Sequence, residues 1–189
     1  MILSIRFTEA LTFAHQLHAK QIRKGSGVPY VAHLLGVASI ALEYGANEDE
    51  AIAALLHDAV EDQGGQPTRE EIRRRFGDTV TAIVDGCTDI DTLPKFSWQE
   101  RKEVFIASIA NASPSVLLVS ASDKLYNSRS VLKDYRILGE LLWSRFKGGR
   151  EGSLWYYRAL VEAYRKVWSS PLIDELDRVV SELEHLANG

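Results

Sequence analysis

Apolar residues recur at helical spacing along nearly the whole chain. Between Phe7 and Leu17 they fall at positions 7, 10, 11, 14 and 17, which matches the 3.6-residue period of an amphipathic helix. No segment sustains the alternation of apolar and polar residues that predicts a strand, and no hairpin turn separates two apolar runs. We therefore predict an all-α fold of nine or ten helices, in one domain that covers residues 1–189.

Capping residues and glycines mark where these helices begin and end. Asn47, Thr68 and Ser97 are each followed three positions later by a glutamate, which is the spacing of a capping box. Gly45 and Gly86 are predicted to end helices, because glycine is the preferred residue just after a last helical turn. A polar loop is predicted over residues 87–97, and the longer helices are predicted over residues 31–44, 47–63, 114–142 and 171–186.

The composition is that of an ordinary globular protein, with 46% hydrophobic and 25% charged residues. The formal net charge of −4 argues against a general nucleic-acid-binding protein, which usually carries a basic excess. The single cysteine, Cys87, excludes an intramolecular disulfide and is expected to be a buried structural thiol. We expect a cytoplasmic protein without membrane contact, because the sequence has neither a bilayer-length apolar run nor a signal-peptide pattern.

One stretch, "AALLHDAVEDQGG" from residue 53 to residue 65, breaks the apolar pattern. On an α-helix with His57 at zero, Glu61 lies at about 40°, Asp58 at about 100° and Asp62 at about 140°, so the four groups form one stripe. The ordinary interpretation of such a stripe is a solvated helix face. However, no Lys or Arg is interleaved to pair with the acids, and three carboxylates on one stripe repel one another. A bound cation would remove that repulsion.

Two more ionisable residues stand alone among apolar neighbours, His33 in "PYVAHLLGVA" and Asp123 in "VLLVSASDKLYN". A lone histidine in such a pattern is more often a core residue, whereas an unpaired buried carboxylate is costly. One metal ion shared by three helices would explain all these exceptions together, and mixed imidazole and carboxylate ligands favour a divalent transition metal. His15 and His18 are interpreted as ordinary helix-face residues.

The arrangement of His33, His57–Asp58 and Asp123 resembles the H…HD…D pattern of the HD-domain metal-dependent phosphohydrolases. The segments "QIRKGSGVPYVAH", "AALLHDAVED", "IRRRFGDTVTAIVDGCTD" and "SASDKLYNSRSVL" are similar to the hydrolase domain of the RelA/SpoT alarmone enzymes, in the stand-alone form without a synthetase domain. The resemblance extends from about residue 7 to residue 164 and implies the helical HD-domain fold.

The resemblance also implies a catalytic centre. Glu61 and Asp62 match the family's ED pair, which handles the attacking water and its protons. One divalent metal, typically Mn²⁺, is implied, and its ligands would be His33, His57, Asp58 and Asp123.

Substrate contacts are implied for Arg23 and Lys24, which match an RK pair that meets the nucleotide base, and for Asn127, on the ribose side. Ser130 lies on the same helix face as Asn127, one turn further along, and we predict that it also faces the substrate. The segment "RKGSGVPY" is one residue longer before its proline–tyrosine pair than the commonest family spacing.

The segment "SRFKGGREGS" provides a further candidate for substrate binding. Lys147 and Arg150, with the glycines around them, are predicted to bind a diphosphate near the next helix N-terminus. A basic surface turn is the alternative, since Lys and Arg are mostly exposed in any protein. In this segment the chain differs from the long bifunctional enzymes and resembles a stand-alone bacterial branch.

The function implied by the resemblance is removal of the 3′-pyrophosphate from guanosine tetra- or pentaphosphate, (p)ppGpp, the alarmone of the stringent response. Two alternatives stay open. In the first alternative the chain is a phosphohydrolase of another nucleotide, for example a 3′-phosphatase. In the second it is an HD-fold sensor that binds a nucleotide without cleaving it. Glu61 and Asp62 argue against a sensor, because a protein that only binds has no use for a proton-handling pair.

Overall fold

The computed structural model describes residues 2–88 and 96–189. Apart from one isolated β-bridge, the regular elements in these two ranges are helical, so the predicted all-α fold class is confirmed. Most of the polar loop predicted over residues 87–97 lies outside the described residues. The α-helices are α1 (Ile5–Leu17), α2 (Val31–Glu43), α3 (Glu48–Leu56), α4 (Ala59–Asp62), α5 (Gln66–Phe76), α6 (Asp78–Cys87), α7 (Trp98–Ser108), α8 (Pro114–Leu138), α9 (Gly149–Val167) and α10 (Pro171–Asn188), with 3₁₀ segments at Ile109–Asn111 and Gly139–Arg145.

These residues group into two compact units. The first unit contains the described residues up to Thr88 together with Ser113–Asp123, and the second contains the described residues from Phe96 to Ala112 together with Lys124–Gly189. Helix α8 is divided between them, since its residues up to Asp123 belong to the first unit. The expectation of one domain over residues 1–189 stays a prediction.

Helix α3 is the centre of the first unit, where it packs against α1, α2 and α6. It begins with the predicted capping box: the Asn47 side chain accepts a bond from the Glu50 N–H, and the Glu50 carboxylate accepts one from the Asn47 N–H. Every residue from Ala51 to Leu56 is fully buried. Because apolar burial on all sides fixes the axis of this helix, the residues that follow it start from a rigid support.

In the second unit, α9 packs against α7 and α10. The Trp98 indole lies close to two glycines of the basic segment: a Cβ at Gly148 would lie 2.6 Å from the ring, and one at Gly152 would lie 3.0 Å from it. Arg158 of α9 donates to Asp177 and Glu184 of α10. Close approach of an aromatic ring is therefore one reason for the glycines in "KGGREG".

Two predicted boundaries are wrong. Helix α5 begins at Gln66, two residues before the predicted cap, and the Thr68 hydroxyl instead donates to the carbonyl of Gln63 at 2.6 Å. Gly86 does not end a helix but lies inside α6, where a Cβ would lie 2.5 Å from a methyl group of Val116. Thr68 and Gly86 each contact a residue outside the capping pattern, Gln63 and Val116 respectively, so the pattern alone does not predict their roles.

Three further expectations concern single features. The long helix predicted through residue 142 ends at Leu138, where Gly139 takes a φ of +57° and the chain continues as a 3₁₀ segment. Cys87 is partly exposed, so the expected burial of this thiol is wrong. Within the described ranges, no helix combines the length and the apolar character that crossing a bilayer would require.

Candidate metal centre and active site

Three helical segments of the first unit bring the predicted ligands together. His33 lies in the first turn of α2, His57 and Asp58 follow the last residue of α3, and Asp123 lies in α8. His33, His57 and Asp123 are buried, whereas the Asp58 side chain is 22% exposed. Buried imidazoles and carboxylates are costly unless they are paired or coordinate a cation.

The chain leaves the helix at His57–Asp58, so the continuous helix predicted over residues 47–63 is wrong. Helix α3 ends at Leu56, and the short helix α4 begins at Ala59. His57 Nδ1 lies 2.9 Å from the carbonyl oxygen of Ala54, the oxygen that the Asp58 N–H would use in an uninterrupted helix. The imidazole thus takes a backbone acceptor at the point where the helix ends.

The bond to Ala54 also determines which ring nitrogen of His57 faces the cluster. A carbonyl only accepts, so Nδ1 carries a proton, and Nε2 points towards His33, Asp58 and Asp123. Metal-ligating histidines typically donate their other N–H to a backbone carbonyl or a carboxylate in this way. The bond from Nδ1 to Ala54 therefore leaves Nε2 of His57 in the position and tautomer that a metal ligand needs.

The separations within the cluster fit one metal ion. His33 Nε2 lies 3.2 Å from His57 Nε2, 3.2 Å from Asp58 Oδ2 and 3.3 Å from Asp123 Oδ1, and His57 Nε2 lies 3.1 Å from Asp58 Oδ2 and 3.6 Å from Asp123 Oδ1. Ligands at about 2.1 Å from a metal are about 3.0 Å apart across an octahedral edge and about 3.4 Å apart across a tetrahedral one. The donor set of His33, His57 and Asp58 is thus able to hold a metal, and Asp123 lies beside it.

The same groups strongly perturb one another's protonation. Burial lowers the pKa of His33 despite its carboxylate neighbours. Burial also acts to lower the pKa of His57, but the charge of Asp58 and hydrogen bonds with Asp123 and Asp58 outweigh it and raise that pKa well above its usual value. Burial acts to raise the pKa of Asp58, but His57 and His33 outweigh it and hold that pKa well below its usual range. The carboxylates around His57 thus favour positive charge at this position, and a bound cation would take the place of the proton.

Tyr30, which the sequence pattern did not single out, supports this cluster. Its hydroxyl donates to Asp58 Oδ2 at 2.6 Å, and its ring meets that of His33 edge-on, with 5.3 Å between centroids. Burial and the neighbouring carboxylates raise the pKa of the Tyr30 phenol far above its usual value, so the group remains a donor. In the sequence, only its position in the proline–tyrosine pair directly before α2 points to this role.

Glu61 and Asp62 lie on α4, one turn beyond the His57–Asp58 pair, and both are exposed. Asp62 Oδ2 accepts a hydrogen bond of 2.7 Å from the side-chain amide of Gln21. Two carboxylates open to solvent beside a buried donor cluster are placed where they can exchange protons with water or a substrate. Their roles as the proton-handling pair stay predictions.

Arg23 and Lys24 lie on a short hairpin-like loop that leads into α2. The loop is closed by bonds from the Arg23 N–H to the Val28 carbonyl, at 2.8 Å, and from the Tyr30 N–H to the Gln21 carbonyl, at 2.9 Å. At its tip Gly25 and Gly27 take φ values of +82° and +71°, which glycine adopts without strain. The two glycines of "RKGSGVPY" thus allow the tight tip of the loop, and the substrate contacts of Arg23 and Lys24 stay predictions.

The other predicted substrate residues belong to the second unit. Asn127 and Ser130 lie on α8, where the Ser130 hydroxyl donates to the carbonyl of Tyr126 at 3.0 Å. Lys147 precedes α9, and Arg150 lies in its first turn. The Arg150 guanidinium contacts Glu151 and donates to the Ala187 carbonyl and the Asn188 side chain at the end of α10, each at 2.6 Å. Arg150 is thus already engaged, and the substrate roles of all four residues stay predictions.

One interpretation of a histidine is wrong. His18 is not a helix-face residue but the C-cap of α1, with only 2% of its surface exposed. Its ring stacks on that of Tyr30, with 5.1 Å between centroids and 15° between planes. His15, interpreted in the same way, is exposed. His18 ends its helix just before the loop that carries Gln21, and its burial depends on the return of that loop through Tyr30.

Comparison with known protein families supports the resemblance. Residues 10–152 match the family model of the HD domain. The guanosine-3′,5′-bis(diphosphate) 3′-pyrophosphohydrolase MESH1 of Xenopus tropicalis is 44% identical over 126 residues, which cover 65% of this chain and 68% of that protein. Its human counterpart is 40% identical over the same length. A probable GTP pyrophosphokinase of Mycobacterium leprae is 40% identical over 124 residues, but the match spans only 15% of that longer protein.

Solved structures agree with the fold. A metazoan ortholog of SpoT, described as hydrolysing ppGpp, superposes with a TM-score of 0.81 at 29% identity, over 97% of this chain and 98% of that one. A protein of Listeria monocytogenes superposes with a TM-score of 0.72 at 34% identity, over 80% and 97% of the two chains. The family match over most of the chain and the similarity to these hydrolases together show that this protein belongs to the HD-domain family, in its RelA/SpoT-type branch.

Proposed function

We propose that this protein hydrolyses (p)ppGpp, releasing the 3′-pyrophosphate, with Mn²⁺ held by His33, His57, Asp58 and Asp123. The observation that carries the proposal is the convergence of these donors, with five separations of 3.1 to 3.6 Å, beside an exposed pair of carboxylates. The names of the stand-alone relatives supply the substrate.

The donor set supports a divalent transition metal. Two neutral imidazoles and two carboxylates combine ligands that suit Mn²⁺, Fe²⁺ and Zn²⁺, and a hard cation such as Ca²⁺ would prefer oxygen alone. When bound, such a metal polarises a phosphoryl oxygen and makes water easier to deprotonate near neutral pH. In this centre Ala54 orients His57, and Tyr30 orients Asp58.

Glu61 and Asp62 would supply the proton transfers of the hydrolysis. We assign to the Glu61 carboxylate the acceptance of a proton from the attacking water, because it lies one turn after His57 on the solvent side of the cluster. Asp62 would either hold that water in line or return a proton to the leaving oxygen. Both functions require a carboxylate whose direction is fixed.

The nucleotide would be bound by basic and polar groups outside the metal centre. We assign contact with the base to Arg23 and Lys24, contact with the ribose side to Asn127 and Ser130, and contact with the phosphates to Lys147 and Arg150. The net charge of −4 supports a small nucleotide as the partner, rather than nucleic acid. Cytoplasmic location and bacterial origin belong to the same proposal, although the relatives include animal proteins.

The direct test measures pyrophosphate and guanosine diphosphate from ppGpp, with metal-free protein and with added Mn²⁺. We expect turnover only with the metal, and its loss in Asp58→Ala. Glu43→Ala is the matched control, because this carboxylate is exposed at the end of α2. If protein whose bound metal has been confirmed releases no pyrophosphate from ppGpp, the proposal is refuted.

The same assay separates the alternative functions. A panel of guanosine and adenosine 3′-monophosphates and 3′-diphosphates would give inorganic phosphate if the protein were a 3′-phosphatase. Nucleotide binding without any product would identify a sensor. The proposed function requires pyrophosphate as the product, and we expect Glu61→Gln to lower its rate of release without abolishing metal binding.

A further inference from the structure

Gln21 lies at the centre of a side-chain network that ends on Asp62. Its amide nitrogen donates to Asp62 Oδ2 at 2.7 Å. Its carbonyl oxygen lies 2.6 Å from His18 Nδ1 and accepts a bond of 2.5 Å from the Gln63 side chain. One amide group thus joins the end of α1 to the two residues at the end of α4.

The direction of each bond follows from the chemistry of the groups. An ionised carboxylate accepts but does not donate, so the side of the Gln21 amide that faces Asp62 must be its NH₂ group. The carbonyl oxygen therefore faces His18, and His18 must carry a proton on Nδ1. Every group in the chain from His18 to Asp62 then has a defined role as donor or acceptor.

His18 is held firmly enough to anchor this chain. It is almost fully buried, and its ring is stacked on that of Tyr30. The backbone of Gln21 is fixed by the same neighbour, since its carbonyl accepts the Tyr30 N–H at 2.9 Å. Gln21 is therefore attached at both its main chain and its side chain to residues beside the metal centre.

Asp62, by contrast, has little support from its own helix. Helix α4 consists of Ala59–Asp62 and is followed by Gly64 and Gly65, with φ values of +120° and +62°. An exposed carboxylate at the end of such a short helix would sample several rotamers. The bond from Gln21 selects one of them, and within the described ranges it leaves Oδ1 as the oxygen that makes no hydrogen bond to protein.

We propose that Gln21, anchored by His18, is a positioning residue that aims Oδ1 of Asp62 at the reacting water or the leaving oxygen. This inference rests on the proposed function, since it specifies how one of the two proton-handling groups is held. It assigns a catalytic consequence to two residues that are neither metal ligands nor members of the proposed substrate site.

The test is a double-mutant cycle of Gln21→Met and Asp62→Asn, with kcat and KM measured for ppGpp hydrolysis. Methionine keeps the length of the side chain but removes both polar atoms. We expect Gln21→Met to lower kcat about tenfold or more, because a hydrogen bond to a charged group is lost, with KM nearly unchanged. In the Asp62→Asn background the same change is expected to have less than about a twofold effect, because the group it positions is gone.

Two outcomes of the cycle would overturn the inference: an unchanged kcat in Gln21→Met, or the same fold-loss in both backgrounds, which would indicate a general structural effect. Gln16→Met is the matched control, since Gln16 is exposed on α1, the helix that precedes the loop carrying Gln21, and we expect it to retain wild-type kcat. Melting temperatures of all variants confirm that the folded protein is compared.

A structural readout separates this inference from the proposed function. If the wild-type protein releases no pyrophosphate, the proposed function fails, whatever happens at Gln21. Crystal structures of the wild type and Gln21→Met then decide the inference alone. An Asp62 side chain that changes rotamer or loses order in Gln21→Met supports it, and an unchanged, ordered Asp62 refutes it.

Discussion

The hydroxyl of Tyr30 should be necessary for tight metal binding. It donates to Asp58 Oδ2 at 2.6 Å, and the same oxygen lies 3.1 and 3.2 Å from the two imidazole nitrogens. The change Tyr30→Phe removes one oxygen atom but keeps the ring that stacks on His18 and meets His33 edge-on. The perturbation therefore isolates a single hydrogen bond to Asp58, a predicted metal ligand.

Its magnitude follows from the kind of bond that is lost. A hydrogen bond to a charged group contributes about 1.5 to 3 kcal/mol, and each 1.4 kcal/mol changes an equilibrium constant by about tenfold. Loss of a partner that orients a metal ligand typically costs about 10- to 100-fold in metal affinity. Both arguments lead to a Kd for Mn²⁺ that is about 10- to 100-fold higher in Tyr30→Phe.

Titration calorimetry of Mn²⁺ into metal-free protein measures this change. Tyr44→Phe is the control, since Tyr44 caps the opposite end of α2, about 20 Å away at 1.5 Å per residue. We expect its affinity to equal that of the wild type, and its melting temperature to match. A Kd in Tyr30→Phe within twofold of the wild type, or tighter, would refute the assignment of Tyr30 as a support for Asp58.

Three further predictions concern protonation and packing. Because the raised pKa of His57 means that a proton must leave before metal binds, the Mn²⁺ affinity should rise with pH and weaken in acid; calorimetry that shows no pH dependence would contradict this. Gly86→Ala should destabilise the fold by about 1 to 3 kcal/mol, since its Cβ would lie 2.5 Å from Val116, and Val116→Ala should restore most of the loss in urea denaturation. Arg158→Met should cost about 2 kcal/mol, because two carboxylates of α10 lose their shared donor; an unchanged urea midpoint would show that these pairs contribute nothing.

Much of the fold follows from local sequence because its determinants are local. The capping box at Asn47 and the one at Ser97 are each complete within four residues, and both appear in the structure as predicted. Gly45 ends α2 with a φ of +92°. Where a residue instead serves a distant partner, the local pattern fails. Gly86 leaves room for Val116, thirty positions along the chain, and nothing within its own helix indicates this contact.

The predicted ligands were recognisable for a related reason. His33, His57 and Asp123 are ionisable side chains in apolar helices, and the free-energy cost of burying them unpaired makes such positions rare unless something binds there. The structure brings their donor atoms within 3.6 Å of one another. The end of α3 at Leu56 does not follow from the sequence pattern, because the apolar spacing continues through Ala59 and Val60.

The supporting residues Gln21 and Tyr30 do not stand out from the sequence pattern in this way. Gln21 lies in a polar loop, where polar residues are the ordinary expectation, and Tyr30 lies beside a proline, where a turn explains it equally well. Their importance depends on the hydrogen bond between residues 30 and 21, which closes the loop, and on the side-chain bonds from Tyr30 to Asp58 and from Gln21 to Asp62. Apolar spacing therefore detects residues that violate the pattern, such as the predicted metal ligands. Residues that hold those ligands conform to it and become visible only once the backbone bonds between distant positions are known.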